Sequence, residues 1–152
     1  MAQRAPHRSG PDVRVGNKPG LPLIFTGPLV FDSSRLPLPH FDKGALTAQN
    51  PLDLKRLQRW RSASIGVRGR PDWVFIKLYS HGFIDADQPS MVGEQMRRFL
   101  EGALNEAHRS ARFIIHFATA REAFNMVMAA VDGKSGSPHL YRDYRLLRIM
   151  KR

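Results

Sequence analysis

A histidine at the end of an apolar segment is the first residue whose position suits chemistry. Residues 73–79 are almost continuously apolar, and Ser80, His81 and Gly82 follow directly. In α/β proteins, binding and catalytic groups gather beyond the carboxyl ends of strands, and an imidazole titrates near neutral pH. The position therefore favours an acid–base role for His81. The alternative is an ordinary histidine in a surface loop.

Other polar residues give weaker indications of a site. Asp85 and Asp87 follow in the same loop and would either bind a cation or form a solvated turn. His116 alternates with apolar neighbours, which favours a buried or interface histidine whose hydrogen bonds are satisfied. The sequence has no His-x-x-x-His or His-Glu-x-x-His pattern, which excludes the usual helix-borne metal site. It has no cysteine, which excludes thiolate nucleophiles and thiolate metal ligands.

The elements that must position these residues alternate between strand and helix. Residues 73–79 and 112–118 have the length and apolar continuity of strands covered on both faces. A helix with one apolar face is predicted between them, starting near Ser90. The capping-box pattern at residues 119–122 opens a further helix, for which Gly133 is a suitable C-terminal cap. The order predicts a right-handed βαβα unit of an α/β protein.

An earlier helix is predicted after Asn50, which suits the N-cap position before Pro51. Its apolar stripe comprises Leu54, Leu57 and Trp60. Basic side chains, Arg56 among them, are expected to fill the remaining, solvated surface.

The charge of the chain is concentrated toward its ends. The 152 residues carry a formal net charge of +11. We expect a disordered basic tail over residues 1–20, a single α/β domain over 21–145 with an irregular beginning, and a second basic tail over 146–152. Such a charge favours nucleic acid or acidic lipid as partners, and the alternative is a scattered excess without a specific partner.

The sequence predicts neither a membrane span nor a secretory signal. No run of eighteen apolar residues occurs, and the basic first ten residues are not followed by an apolar stretch. A cytoplasmic location is the default expectation.

Two segments carry a resemblance to a known family. They are Gly69–Gly82, which contains Leu78-Tyr79-Ser80-His81, and Phe113–Asn125, which contains the Thr119 to Glu122 helix start. Together with the helix from Ser90, their order and spacing resemble the C-terminal part of uncharacterised bacterial proteins related to polysaccharide deacetylases. Those proteins are often linked to exopolysaccharide synthesis. The resemblance covers about residues 64–132.

The resemblance implies a fold and a reaction. It implies part of a distorted (β/α) barrel and a deacetylation in which a divalent ion such as zinc activates water. In this chain His81 would be the general acid, with Tyr79 as the alternative occupant of that place. Leu78 would line the acetyl pocket, and Lys77 and Asp85 would contact the substrate.

The family's catalytic Asp pair and its two metal histidines have no counterpart here, so we expect no cofactor on this chain. The resemblance therefore predicts a deacetylase-like fragment, inactive alone, whose partner is a missing N-terminal barrel half or a second copy. The alternatives are a non-enzymatic basic module that binds nucleic acid or another polyanion, and a degenerate remnant. The sequence contains no recognisable nucleic-acid-reading motif.

Overall fold

The chain forms two compact units, each built from separate stretches of sequence. A computed structural model describes residues 13–17, 23, 25–32, 40–50, 52–81 and 84–147. Unit 1 comprises Met1–Thr26, Ser64–Phe75 and His116–Arg152, and unit 2 comprises Gly27–Ala63 and Ile76–Ile115. The sequence predicted one domain over 21–145, whereas contacts group the chain into these two interleaved units.

Unit 2 contains a short antiparallel pair of strands and three helices. Strands β1 (Val30–Asp32) and β2 (His40–Asp42) pair with Phe31 opposite Phe41. Helices α1 (Leu54–Ser62), α2 (Pro89–Val92) and α3 (Glu94–Ser110) follow in chain order. The core forms where Trp60 of α1 meets Phe99 of α3, with ring centroids 6.3 Å apart.

Unit 1 contains a second antiparallel pair and one long helix. Strands β3 (Gly66–Val67) and β4 (Arg70–Val74) pair through a tight turn, and helix α4 (Ala120–Val131) follows later in the chain. Residues 125–131 of α4 are all buried, and the cluster around them includes Val13, Val67 and Trp73. A 3₁₀ turn, Pro138–Tyr141, carries Tyr141 onto the Trp73 ring.

The predicted helices are present, with corrected boundaries. Thr119 and Glu122 form the predicted capping box, and Gly133, with a φ of +72°, ends α4 as expected. The amides of Gly133 and Lys134 bond back to Ala130 and Ala129, which is the Schellman pattern. The helix predicted to start near Ser90 is split at Gly93, whose extended backbone separates α2 from α3.

Helix α1 begins three residues later than expected. Asp53, rather than Asn50, is the N-cap, because its carboxylate accepts a hydrogen bond from the Arg56 amide at 2.7 Å. Pro51, predicted at the first helical position, lies outside the described residues. The prediction that Arg56 is solvated is wrong, because this side chain is only 2% exposed.

The predicted strands differ most from the structure. Only the beginning of residues 73–79 belongs to a ladder, as the end of β4, and that ladder is antiparallel. Residues 113–118 have no regular secondary structure, and no backbone hydrogen bond joins them to another described residue. The described residues therefore contain helices and strands, as predicted, but not the expected parallel pair. An apolar segment becomes a strand only when a neighbouring backbone satisfies its amides and carbonyls.

Both predicted tails include ordered residues. Val13 is fully buried, and its backbone and that of Val15 bond to Arg68. Leu146 bonds through both its amide and its carbonyl to the Asn125 side chain. Residues 1–12, 18–22 and 148–152 lie outside the described part of the chain. Among the helices that the structure describes, none is long and apolar enough to cross a membrane.

Candidate functional site

The predicted site segment is anchored to unit 2 by its backbone and by alternate side chains. Tyr79 donates its amide to the Gly44 carbonyl at 3.1 Å and accepts the Leu46 amide at 2.8 Å. Ile76 and Leu78 pack against the core of unit 2. Leu78, which the resemblance placed in an acetyl pocket, is therefore part of the packing that fixes this segment.

The remaining alternate side chains form a row on the outer side of the segment. The Lys77 ammonium lies 4.8 Å from the centre of the Tyr79 ring. The Tyr79 and His81 rings meet edge to face, with centroids 6.0 Å apart. Lys77 and His81 are exposed and Tyr79 is half-buried. We call these three residues the Lys-Tyr-His row. It combines a cation, an aromatic face and an imidazole that can exchange a proton.

The acidic residues after the row have separate environments. Asp87 is buried, and its carboxylate accepts a hydrogen bond from the Ala48 amide at 2.8 Å, so this side chain stabilises the backbone at Ala48. The side chain of Asp85 is exposed and makes no hydrogen bond or ion pair with another described residue. The Ser80 hydroxyl is buried without a hydrogen-bond partner among the described residues.

The metal implied by the resemblance has no ligand set in the part of the chain that the structure describes. No group of three or more His, Asp or Glu side chains there is arranged to hold an ion. The residues around His81 do not fit such a group, because His81 is the imidazole of a row whose other members are an ammonium and a phenol.

Sequence reasoning missed a buried ion pair in unit 2. The Asp42 carboxylate accepts bonds from Arg56 Nε at 2.8 Å, Arg56 Nη2 at 2.9 Å and Trp60 Nε1 at 2.9 Å. Arg56 also donates to the carbonyls of Asn50 and Ala45. A signal was available, because Arg56 and Trp60 are four residues apart and so share one face of α1.

The electrostatics of Asp42 follow from these contacts. Burial alone would raise the pKa of its carboxyl group, but the bonds from Arg56, the Gly44 amide and Trp60 outweigh burial and hold the pKa below its ordinary value. The carboxylate is therefore charged at neutral pH and fully engaged. This group stabilises unit 2 and has no spare capacity for a ligand.

A second polar group lies in unit 1, around the hydroxyl of Ser137. Ser137 Oγ is 2.8 Å from His139 Nδ1 and 3.3 Å from His116 Nε2. The two imidazole rings are stacked, with centroids 5.5 Å apart and planes 28° from parallel. Burial, and then the charges of His139 and Arg142, lower the pKa of His116. The sequence favoured a buried or interface histidine at 116, and the structure places a half-buried side chain there, with a partner that sequence spacing did not reveal.

A cleft of about 440 Å³ opens between the start of α1 and α3 in unit 2. Its charged rim consists of Asp53, Glu94 and Arg98. Asp53 caps α1, and Glu94 and Arg98 pair with each other at 2.7 Å. The charged groups of the cleft are therefore already engaged in contacts within the chain.

Comparisons with protein-family models, with curated proteins and with solved structures find no match to this chain.

Proposed function

We propose that this chain is a carbohydrate-binding piece of a deacetylase-like protein and does not release acetate by itself. The observation that carries the proposal is the Lys-Tyr-His row. An aromatic face next to hydrogen-bonding groups suits a sugar ring, whose faces are apolar and whose edges carry hydroxyl and acetamido groups. Lys77 would donate to a glycan oxygen, Tyr79 would contact the ring, and His81 would supply the general acid.

The rigidity of the segment supports a binding role. Two backbone bonds at Tyr79 and the packing of Ile76 and Leu78 fix the segment, so the outward side chains are positioned before any ligand arrives. A preorganised surface loses less conformational entropy on binding than a mobile loop. A single acid–base group in the row would be enough to protonate a leaving group but would not also activate water.

The proposal includes a barrel-like sheet that needs further strands. This part of the proposal is supported by apolar side chains that are exposed in a segment where the sequence predicts a covered strand. Ile114 is 78% exposed and Phe117 is 54% exposed, although both belong to a segment of high strand propensity. Exposed apolar segments of this kind are usually paired or covered in a complete domain. The missing neighbours would come from the rest of a longer enzyme.

Binding of an acetylated oligosaccharide tests the proposal. Calorimetric titration of the full chain with an N-acetylglucosamine oligomer should give saturable binding, weaker for the deacetylated oligomer. Tyr79→Ala should weaken binding at least about tenfold, because the aromatic face is lost. Tyr79→Phe, which keeps the ring, should retain most of the affinity. Equal affinity of Tyr79→Ala and the parent chain would contradict the proposal.

Matched controls are available for the other two members of the row. Lys55 lies exposed on α1 and His108 lies exposed on α3. Lys77→Gln and His81→Ala should weaken binding, whereas Lys55→Gln and His108→Ala should not. The chain supplied with zinc and the acetylated oligomer should release no acetate. Turnover that His81→Ala abolishes would show that the chain is a complete enzyme and would overturn the second half of the proposal.

Polyanion binding is the second candidate, and the net charge of +11 favours it. Against it, many described arginines are already paired with carboxylates, as Arg97 is with Glu94 and Glu101. The two functions differ in their salt dependence. Affinity for a nucleic acid or other polyanion should fall steeply as salt rises, whereas affinity for an uncharged glycan should hardly change.

A further inference from the structure

Three side chains from two parts of unit 1 point their donor atoms at one place. His116 lies in the irregular segment before α4, and Ser137 and His139 lie at the start of the 3₁₀ turn Pro138–Tyr141. Ser137 Oγ is within hydrogen-bond distance of one nitrogen from each imidazole. One hydroxyl proton can serve only one of these nitrogens, so the other nitrogen must carry its own proton in this arrangement.

We propose that His116 Nε2, His139 Nδ1 and Ser137 Oγ form a binding site for a borderline divalent metal ion such as Zn²⁺. In a tetrahedral zinc site with bonds of about 2.1 Å, neighbouring donor atoms are about 3.4 Å apart. Two edges of the donor triangle measure 3.3 Å and 2.8 Å. Both distances are close to that spacing, and water would complete the shell.

The donor types select the class of metal. Two imidazole nitrogens suit Zn²⁺, Cu²⁺ or Ni²⁺, whereas Mg²⁺ and Ca²⁺ prefer shells of oxygen. Metal binding uses the lone pair of a neutral imidazole nitrogen, and Arg142 lies near His116. Arg142 is itself held by Glu122 at 3.0 Å, which offsets its repulsion of a cation. His139 is exposed, so the site is open to solvent on one side.

The site belongs to the unit that does not contain the Lys-Tyr-His row, and it does not depend on the proposed carbohydrate function. Its donors are 23 residues apart in sequence, which no short metal-binding motif would cover. It differs from the ion implied for deacetylation, because no carboxylate is among its ligands.

Titration of the full chain with zinc chloride, followed by calorimetry, tests the site. We expect saturable binding of one ion, weakened at least tenfold by His116→Ala and by His139→Ala, and less by Ser137→Ala. His40 and His108 are exposed histidines of unit 2, and His40→Ala and His108→Ala serve as matched controls that should leave affinity unchanged. Magnesium should give no comparable binding. Equal zinc affinity of the His116→Ala variant and the parent chain would overturn the proposal.

Nitrogen-15 NMR of the parent chain provides a second test that needs no substitution. One equivalent of zinc should shift Nε2 of His116 and Nδ1 of His139, and should leave the imidazoles of His81 and His108 unchanged. Shifts spread over all imidazoles, or confined to one exposed histidine, would identify non-specific binding and refute the site.

Discussion

Replacing Asp42 by Asn removes the charge from a fully buried ion pair and should strongly destabilise unit 2. Asp42 is 1% exposed and accepts four hydrogen bonds, two from Arg56 and one each from Trp60 and the Gly44 amide. An Asn side chain offers one acceptor oxygen and turns an N–H₂ group toward the remaining donors. The guanidinium of Arg56 then stays buried and keeps its bonds to two backbone carbonyls, but it loses the carboxylate that balances its charge.

The expected loss follows from the cost of an uncompensated buried charge. Removing one partner of a buried pair costs about 3–5 kcal/mol. With a slope of about 1.5 kcal/mol per molar urea, a loss of 3 kcal/mol lowers the unfolding midpoint by about 2 M. Trp60→Phe removes one donor and keeps most of the ring, and should cost about 1–3 kcal/mol.

Urea unfolding followed by tryptophan fluorescence measures this effect. The chain has two tryptophans, Trp60 in unit 2 and Trp73 in unit 1, so a Trp73→Phe background isolates the signal of unit 2. Glu94→Gln, at an exposed ion pair, is the control and should leave the midpoint almost unchanged. A midpoint shift for Asp42→Asn as small as that of the control would refute the reasoning.

Three further predictions concern the helices. Asn125→Leu should speed amide hydrogen exchange at Leu146 by at least tenfold, because the fully buried Asn125 side chain accepts that amide at 2.8 Å. The hydrogen bond from the Thr119 amide is the main cause that lowers the pKa of Glu122. The ionised carboxylate therefore stabilises the folded chain above pH 4.5, and this stabilisation is lost as pH falls through the lower folded pKa. Acid unfolding should therefore be less steep in Glu122→Gln, which keeps the capping box. Gly102→Ala should raise the unfolding free energy in urea by about 0.5–1 kcal/mol, because Gly102 lies inside α3 and its new Cβ would make an ordinary 3.6 Å contact.

Local interactions explain which elements the sequence could predict. The capping box of Thr119 and Glu122 and the glycine at 133 act within a few residues, so their pattern was sufficient to place α4. The split at Gly93 shows what apolar periodicity cannot predict. The helical spacing of apolar residues continues past this position, although the backbone of Gly93 is extended.

Long-range partners explain what the sequence could not predict. Residues 113–118 have strand propensity, but whether they join a ladder depends on a backbone that local sequence does not specify. Arg56 is buried because Asp42 reaches it from 14 residues upstream. The two-residue spacing of Lys77, Tyr79 and His81 indicated that their side chains could lie on one side of the segment. No spacing in the sequence indicated the contact between His116 and His139.

The interleaving of the two units limits how the protein can be divided. The backbone passes from one unit to the other at four points, after residues 26, 63, 75 and 115. No single proteolytic cut can liberate either unit as one continuous peptide, and deletion of the first 26 residues would take Val13 out of the centre of unit 1. Splitting the gene after residue 63 or 75 would divide both units, so the halves would regain their cores only by reassociating, whereas a split after residue 26 or 115 would divide unit 1 alone. A split-reporter assay could exploit this property directly.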